Sequence, residues 1–386
     1  MTRVSSALLF IGLLNLLPSA YAQVELDVEE LRLENAATTL PSVVSRYQGL
    51  VNSLASQYRQ NTDEFTVTQL AARQGERLWQ QAVRDVQSGS LDDRPLYWSR
   101  LAMLKELKTT KPAFNIVQWQ REILINAIEK SSRGLSNIQF DDDAQIKILL
   151  SGFDPFFLDR NIDQSNPSGL VALALDGYKF TVAGKKAQIE TVMIPVRFTD
   201  FDQGLIESLL TPIYRENSVD IIFTVSMGRD DFDLERFPGR NRSAAAPDNL
   251  NVQTGANKQA PLAPMFEEKS LNGPEFVEFS LPVKAMQAVE GKWKVNDNHS
   301  VTTLAKGAFE ASSLAELQSS ISVEGSGGGY LSNEISYRAV LLGQQLNSKI
   351  PVGHIHTPRV TGYDADTEAQ ILEQVKVMVI AASKGL

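Results

Sequence analysis

The chain has 386 residues, 43% of them hydrophobic and 22% charged, which is ordinary for a globular protein and long enough for two domains. A formal charge of −9, with no Lys/Arg-rich run, argues against nucleic acid as a partner. Cysteine is absent, which excludes disulfides, thiolate nucleophiles and Cys-ligated metals, and the three histidines, His299, His354 and His356, are the whole supply of imidazole.

Residues 1–22 read as a signal peptide. Arg3 supplies a positive start, Ala7 to Leu17 form an apolar run, Pro18 breaks it, and Ala20-Tyr21-Ala22 is a small-x-small cleavage pattern. The run is short for a bilayer, so a periplasmic or secreted protein without a membrane span after cleavage is expected, starting near Gln23.

Residues 23–143 read as an all-α region. Ser42 to Gln60 places Val44, Tyr47, Leu50, Val51, Leu54 and Tyr58 near one helical face. Thr66 and Gln69 have the spacing of a capping box, and Leu70, Leu78, Ala82 and Val86 continue a second stripe. Two further helices are expected over about Pro95–Leu107 and Ala113–Lys130, with Trp79, Trp98 and Trp119 as core or docking aromatics. Asp141-Asp142-Asp143 reads as a solvated boundary turn, because the spacing of a calcium loop is missing.

From residue 144 to residue 386 the pattern changes to strand–helix alternation. Strands are expected at Ile146–Leu150, Val192–Val196, Val219–Val225, Val277–Leu281, Ile321–Glu324 and Val352–His356. Helices are expected near Gln203–Tyr214, Val283–Val289, Leu331–Leu346 and Thr367–Ser383. This predicts a three-layer α/β/α domain on a mostly parallel twisted sheet, with sites at the carboxyl ends of its strands. Arg240–Lys269, rich in Ala, Pro, Asn and Gln, reads as a long excursion or mobile loop.

Four segments beside the expected strands carry chemistry. They are Ser151 to Phe156 with Asn166-Pro167-Ser168; Ser226 to Arg229 with Glu235-Arg236; Gly325 to Asn333; and His354 to Pro358. A strand, a glycine-rich turn and a helix seat Ser332 in a first helical turn, where outward N–H groups favour negative charge. The alternative is that Ser332 merely caps the helix. Around Ile355 the two histidines read as alternating, one imidazole to each face of a strand, which disfavours a zinc pair.

In this order the segments resemble the pyroglutamyl peptidase I (pyrrolidone carboxyl peptidase) family from about Ile146 to Val377. Gly152 to Phe156 is similar to its Gly-Phe-Glu-Pro-Phe turn and Asn166 to Ser168 to its Asn-Pro-Ser. Ile194-Pro195-Val196 is similar to its Leu/Ile-Pro-Val, and Pro247-Asp248-Asn249 to its Pro-Asp-Asn. Ser280 to Ala285 resembles Thr-Leu-Pro-Val-Lys-Ala, Ser326 to Asn333 resembles Ser-Ala-Gly-Thr-Tyr-Val-Cys-Asn, and Ile355 to Pro358 resembles Ile-His-Val-Pro. The resemblance places the family's catalytic glutamate on Glu235, its histidine on His356 and its cysteine nucleophile on Ser332. Phe153 and Phe156 fall where the family holds the pyroglutamyl ring, Tyr330 and Leu331 at pocket positions, and Asn166 at a polar contact.

The chain departs from the family at Gly328-Gly329, at Phe237-Pro238-Gly239, where Asn241 fits only with a one-residue shift, and in the expanded stretch 240–269. With serine in place of cysteine, His356 has to remove the hydroxyl proton during attack, because a hydroxyl cannot be pre-ionised as a thiol can. The resemblance implies a serine-type hydrolase of peptides with a blocked N-terminus, needing neither cofactor nor metal, and admits a homo-oligomer. A binding protein that has lost turnover, and an envelope structural protein acting through its N-terminal helices, are the competing readings.

Overall fold

The computed structural model describes residues 25–386. The expected leader, with Arg3 and Ala20-Tyr21-Ala22, lies outside the described residues. Helices come first: α1 (Val28–Leu31), α2 (Leu33–Thr39), α3 (Pro41–Val44), α4 (Gln48–Gln60), α5 (Glu64–Gln87), α6 (Arg94–Thr109) and α7 (Gln118–Ser131). The single helix expected over Ser42–Gln60 is split, because the backbone at Tyr47 leaves the helical region at φ −111° and ψ 24°. The capping box expected at Thr66 is also displaced. Asp63 caps α5 instead, its carboxylate accepting the Thr66 N–H at 2.9 Å. Trp79 and Trp98 are buried, but Trp119 is 57% exposed, since it lies off the face through which Leu124 and Ile128 pack.

The second part begins with β1 (Ile146–Phe153), α8 (Pro167–Leu175), β2 (Tyr178–Val182), β3 (Lys185–Ile194), α9 (Phe198–Asp202), α10 (Leu205–Glu216), β4 (Ile221–Met227) and β5 (Phe232–Glu235). It continues through β6 (Met265–Phe266), β7 (Lys269–Ser270), α11 (Val283–Gln287), β8 (Val295–Asn298), β9 (Ser300–Thr303), β10 (Gly307–Glu310) and β11 (Ser322–Glu324). It closes with α12 (Leu331–Gln345), β12 (Val352–Thr357) and α13 (Ala365–Ala382). The main sheet has the order β2-β3-β1-β4-β12-β5-β8. Its central pairs β3–β1, β1–β4 and β4–β12 are parallel, as is β5–β8, whereas β2–β3 and β12–β5 are antiparallel. The central strands are continuous apolar runs such as Ile148-Leu149-Leu150 and Ile221-Ile222-Phe223, which suits strands buried on both faces. Helix α8 covers β1, β3 and β4 with α13 beside it, and α12, flanked by α10, covers β4 and β12. The α/β/α class expected from the sequence is the observed one.

Two strand expectations need revision. Val277–Leu281 forms no strand; it runs as an irregular bridge, with Val277 N–H on Pro238 O and Ser280 N–H on Val352 O. The strand near Ile321–Glu324 exists, but as part of a separate antiparallel sheet, β10-β9-β11. The strands β5 and β8, at one end of the sheet, carry no apolar run in the sequence because Phe-Asp-Leu-Glu and Val-Asn-Asp-Asn are half polar. Residues 240–269 form the expected excursion, which is tied down. Arg242 binds Glu334 and Asp202, and the Asp248 carboxylate accepts N–H bonds from Phe198, Leu250 and Val252. The Asp141–Asp143 turn is exposed, with Asp141 paired to Lys179 and Asp143 to Lys186.

The helical region adds no strand to any sheet among the described residues, and it shares one continuous apolar core with the α/β part. Helix α5 packs on α8, and the Trp79 indole donates to Asp176 at 3.1 Å. A buried ionic junction completes the joint: Arg100 and Arg133 both converge on Asp154, in the turn after β1.

Candidate active site

Parallel strands β1, β4 and β12 end on one side of the sheet, at Phe153, Met227 and Thr357. The Gly228 N–H donates to Thr357 O at 2.8 Å, drawing the ends of β4 and β12 together. A Cβ on Gly228 would lie 2.6 Å from the His356 Cβ, so only glycine admits the imidazole here. The glycine-rich segment forms a closed turn. Gly325 and Gly328 exchange two backbone hydrogen bonds of 2.9 Å, with Gly328 at φ +85°. Asn333 clamps Gly239 from the next helix, accepting its N–H at 2.9 Å and donating to its carbonyl at 2.7 Å. The altered stretch Phe237-Pro238-Gly239 is therefore the anchor of the glycine turn.

Ser332 is the second residue of α12 and is half-buried. Tyr330 occupies the N-cap position, without a side-chain cap bond, so Ser332 is not the cap. The first intrahelical bond runs from Glu334 N–H to Tyr330 O, which leaves the N–H groups of Leu331, Ser332 and Asn333 without helical partners. The Ser332 hydroxyl donates to Gly327 O at 3.3 Å.

His356 is buried on β12, and its Nδ1 shares a short hydrogen bond with Glu235 Oε1 from the antiparallel neighbour β5. Glu235 is fully buried. Burial pushes its carboxyl above the ordinary value, against the pull of His356 and Arg229. Its second oxygen accepts the Asn298 amide at 2.8 Å. Asn298, which the sequence reading missed, also donates to Ser326 O at 3.1 Å and accepts the Ser300 N–H at 3.0 Å. No motif marked it; it reaches the site only because β8 pairs with β5, Glu235 opposite Asn298.

The expectation that His354 and His356 point to opposite faces is overturned. Residues two apart on a strand share a face, and their ring centroids lie 4.8 Å apart. His354 is fully buried beneath His356, between Thr224 Oγ1 at 2.8 Å and Ser226 Oγ at 2.7 Å. Burial and the neighbouring imidazole hold its pKa well below the usual histidine value, so it is neutral. No cluster of three or more potential metal ligands occurs among the described residues.

Two cavities meet at Ser332. The smaller, about 290 Å³, is lined by His356, Arg229, Lys258 and the glycine turn. The larger, about 520 Å³, is lined by Phe153, Phe156, Asn166, Tyr330 and Leu331, so the expected pocket residues come together around Ser332. Phe153 is nearly inaccessible, 3% exposed, and stacks on Phe201 at 6.4 Å as a floor. Asn166 caps α8, its Oδ1 accepting from Ser168 N and Oγ and its Nδ2 donating to Asp154 O at 2.9 Å. Only its second Nδ2 proton is left for a ligand. The sequence reading passed over Phe157, which stacks on Tyr330 at 6.3 Å as part of the wall. Arg32 of the helical region braces that wall, bonding Asp159 at 2.7 Å and the Asn249 carbonyl at 2.5 Å.

Residues 17–129 match the family model described as PA0049 N-terminal domain, and residues 147–305 and 293–361 match the one described as PA0049, C-terminal domain. The chain belongs to the PA0049 family. "Uncharacterized protein PA0049" of Pseudomonas aeruginosa is 28% identical to it, over 76% of this chain and 70% of that protein. Among solved structures, a mutant pyrrolidone carboxyl peptidase of Pyrococcus furiosus is 21% identical, with a TM-score of 0.43, covering 62% of this chain and all of that one. Another pyrrolidone carboxyl peptidase structure from the same organism is 20% identical with a TM-score of 0.42, covering 62% of this chain and 99% of that one.

Proposed function

We propose that the protein is a serine-type hydrolase that removes a pyroglutamyl or similar small cyclic residue from the blocked N-terminus of a peptide, exported as its leader suggests. The observation that carries this reading is the buried Glu235–His356 pair, whose imidazole lines the same cavity as Ser332, a hydroxyl at the open start of a helix. Glu235 accepts a hydrogen bond from Nδ1–H, which leaves Nε2 as the base. Ser332 Oγ attacks the scissile carbonyl carbon while its proton passes to His356 Nε2. The oxyanion faces the free N–H groups at the start of α12. Collapse breaks the C–N bond and the amine leaves with the proton from Nε2; water, giving its proton to Nε2, then attacks the acyl-serine, the C–Oγ bond breaks, and that proton returns to Ser332 Oγ as the acid leaves. The acyl ring occupies the larger cavity between the phenylalanines, and the peptide leaves through the smaller one.

One observation favours the alternative, a binding protein without turnover: the Ser332 hydroxyl bonds Gly327 O and makes no hydrogen bond to His356. Catalytic hydrogen bonds are often loose before substrate arrives. Release of a fluorescent amine from a pyroglutamyl anilide decides between them. Hydrolysis abolished by Ser332→Ala, with Ser332 labelled by a fluorophosphonate, is expected. Activity that survives Ser332→Ala removes the nucleophile, and no activity with retained ligand binding establishes the binding protein.

A further inference from the structure

The larger cavity carries charge that the proposed reaction does not use. Arg160 and Arg359 both line it, and no Asp or Glu does, in a chain whose net charge is −9. Each is exposed at the mouth. Arg160 sits 4.9 Å over the Phe157 ring, which fixes its guanidinium against the aromatic wall. The acids on its own loop are already engaged by the helical region, Asp159 by Arg32 and Asp163 by Arg94. Among the described residues neither Arg160 nor Arg359 has a carboxylate partner. Arg359 follows β12 and is placed by its own N–H, which donates to Arg229 O at 2.7 Å. Size points the same way. A cavity of about 520 Å³ lies within the roughly 300–1,000 Å³ of sites for drug-sized ligands, well above what one five-membered lactam fills.

We propose that the larger cavity also takes an anion: the acyl group whose ring lies against Phe153, Phe156 and Phe157 carries, besides its reacting carbonyl, a carboxylate that Arg160 and Arg359 bind at the mouth. The proposal rests on the reading of Ser332 as the reacting group and adds the chemical class of the acyl part. Guanidinium groups suit this task because their planar fork pairs with a carboxylate through two hydrogen bonds. The positive mouth also attracts anions from solution, an effect that salt weakens.

The test is calorimetric and needs no turnover. 3-Phenylpropionate and its neutral amide are titrated into the full-length mature protein, its Ser332→Ala variant and an Arg160→Gln/Arg359→Gln double variant. The carboxylate is expected to bind wild type and Ser332→Ala at least about fivefold more tightly than the amide, and the double variant is expected to lose that margin while binding the amide unchanged. Equal affinities in wild type, failure of both probes to bind, or a carboxylate preference that persists in the double variant overturns the proposal; the last outcome would place the anion at the start of α12. An arginine-dependent preference in a protein without hydrolytic activity would sink the hydrolase reading and leave the anion site standing.

Discussion

Replacing Glu235 by Gln tests the mechanism at its most constrained point. The substitution keeps shape and removes charge, and the neighbours decide how the amide turns. Asn298 presents Nδ2 to Oε2 of residue 235, and it cannot rotate without losing its bonds to Ser326 O and the Ser300 N–H. The glutamine must therefore point its oxygen at Asn298 and its NH₂ at His356 Nδ1. That makes Nδ1 an acceptor and moves the imidazole proton to Nε2, the atom that has to receive the serine proton. The imidazolium formed during attack also loses its counter-charge. For unit charges about 4 Å apart at an effective dielectric near 20, this interaction is about 4 kcal/mol, or about 10³ in rate. We expect Glu235→Gln to lower kcat for a pyroglutamyl anilide about 10³-fold, short of the abolition expected for Ser332→Ala. Adding Asn298→Ala, which lets the glutamine turn over, should recover part of the loss. A Glu235→Gln enzyme within threefold of wild type, or a double variant no better than the single one, would refute the relay.

Two further expectations concern stability. Asp154→Asn leaves Arg100 and Arg133 buried without their shared carboxylate, at a cost of about 3–5 kcal/mol, read as a lower urea midpoint; a loss under 1 kcal/mol would contradict the buried junction. Glu368 is buried, with Ser165 Oγ donating to it and Asp92, Asp93 and Asp364 nearby against Arg94, and burial pushes its carboxyl up to about 7. A folded pKa above the unfolded one favours the native state fully below the ordinary value of 4.5 and progressively less up to pH 7, a loss of roughly 3 kcal/mol. Glu368→Gln should flatten that part of the stability–pH curve, and an unchanged slope between pH 4.5 and 7 would exclude Glu368 as its source.

The sequence by itself determined the local and linear features of this protein. Apolar runs such as Ile146–Leu150 and Val219–Val225 read as buried parallel strands because such strands exclude water on both faces. The order of the Gly-Phe-Asp-Pro-Phe turn, Glu235, the glycine turn before Ser332 and His356 marked residues that the fold then gathers where β1, β4 and β12 end, with Glu235 brought to His356 by the antiparallel β5. Helix α8 stayed hidden because it is apolar all round, being buried on every side, and shows no stripe. Only the tertiary structure decided which half-polar strand pairs with which, and hence that Asn298 meets Glu235. It also decided that the helical region reaches into the site, through Arg32 behind the cavity wall and Arg100 and Arg133 on Asp154. These contacts join residues far apart in the chain, and an isolated arginine or asparagine looks the same in sequence whether it faces water or closes a buried network.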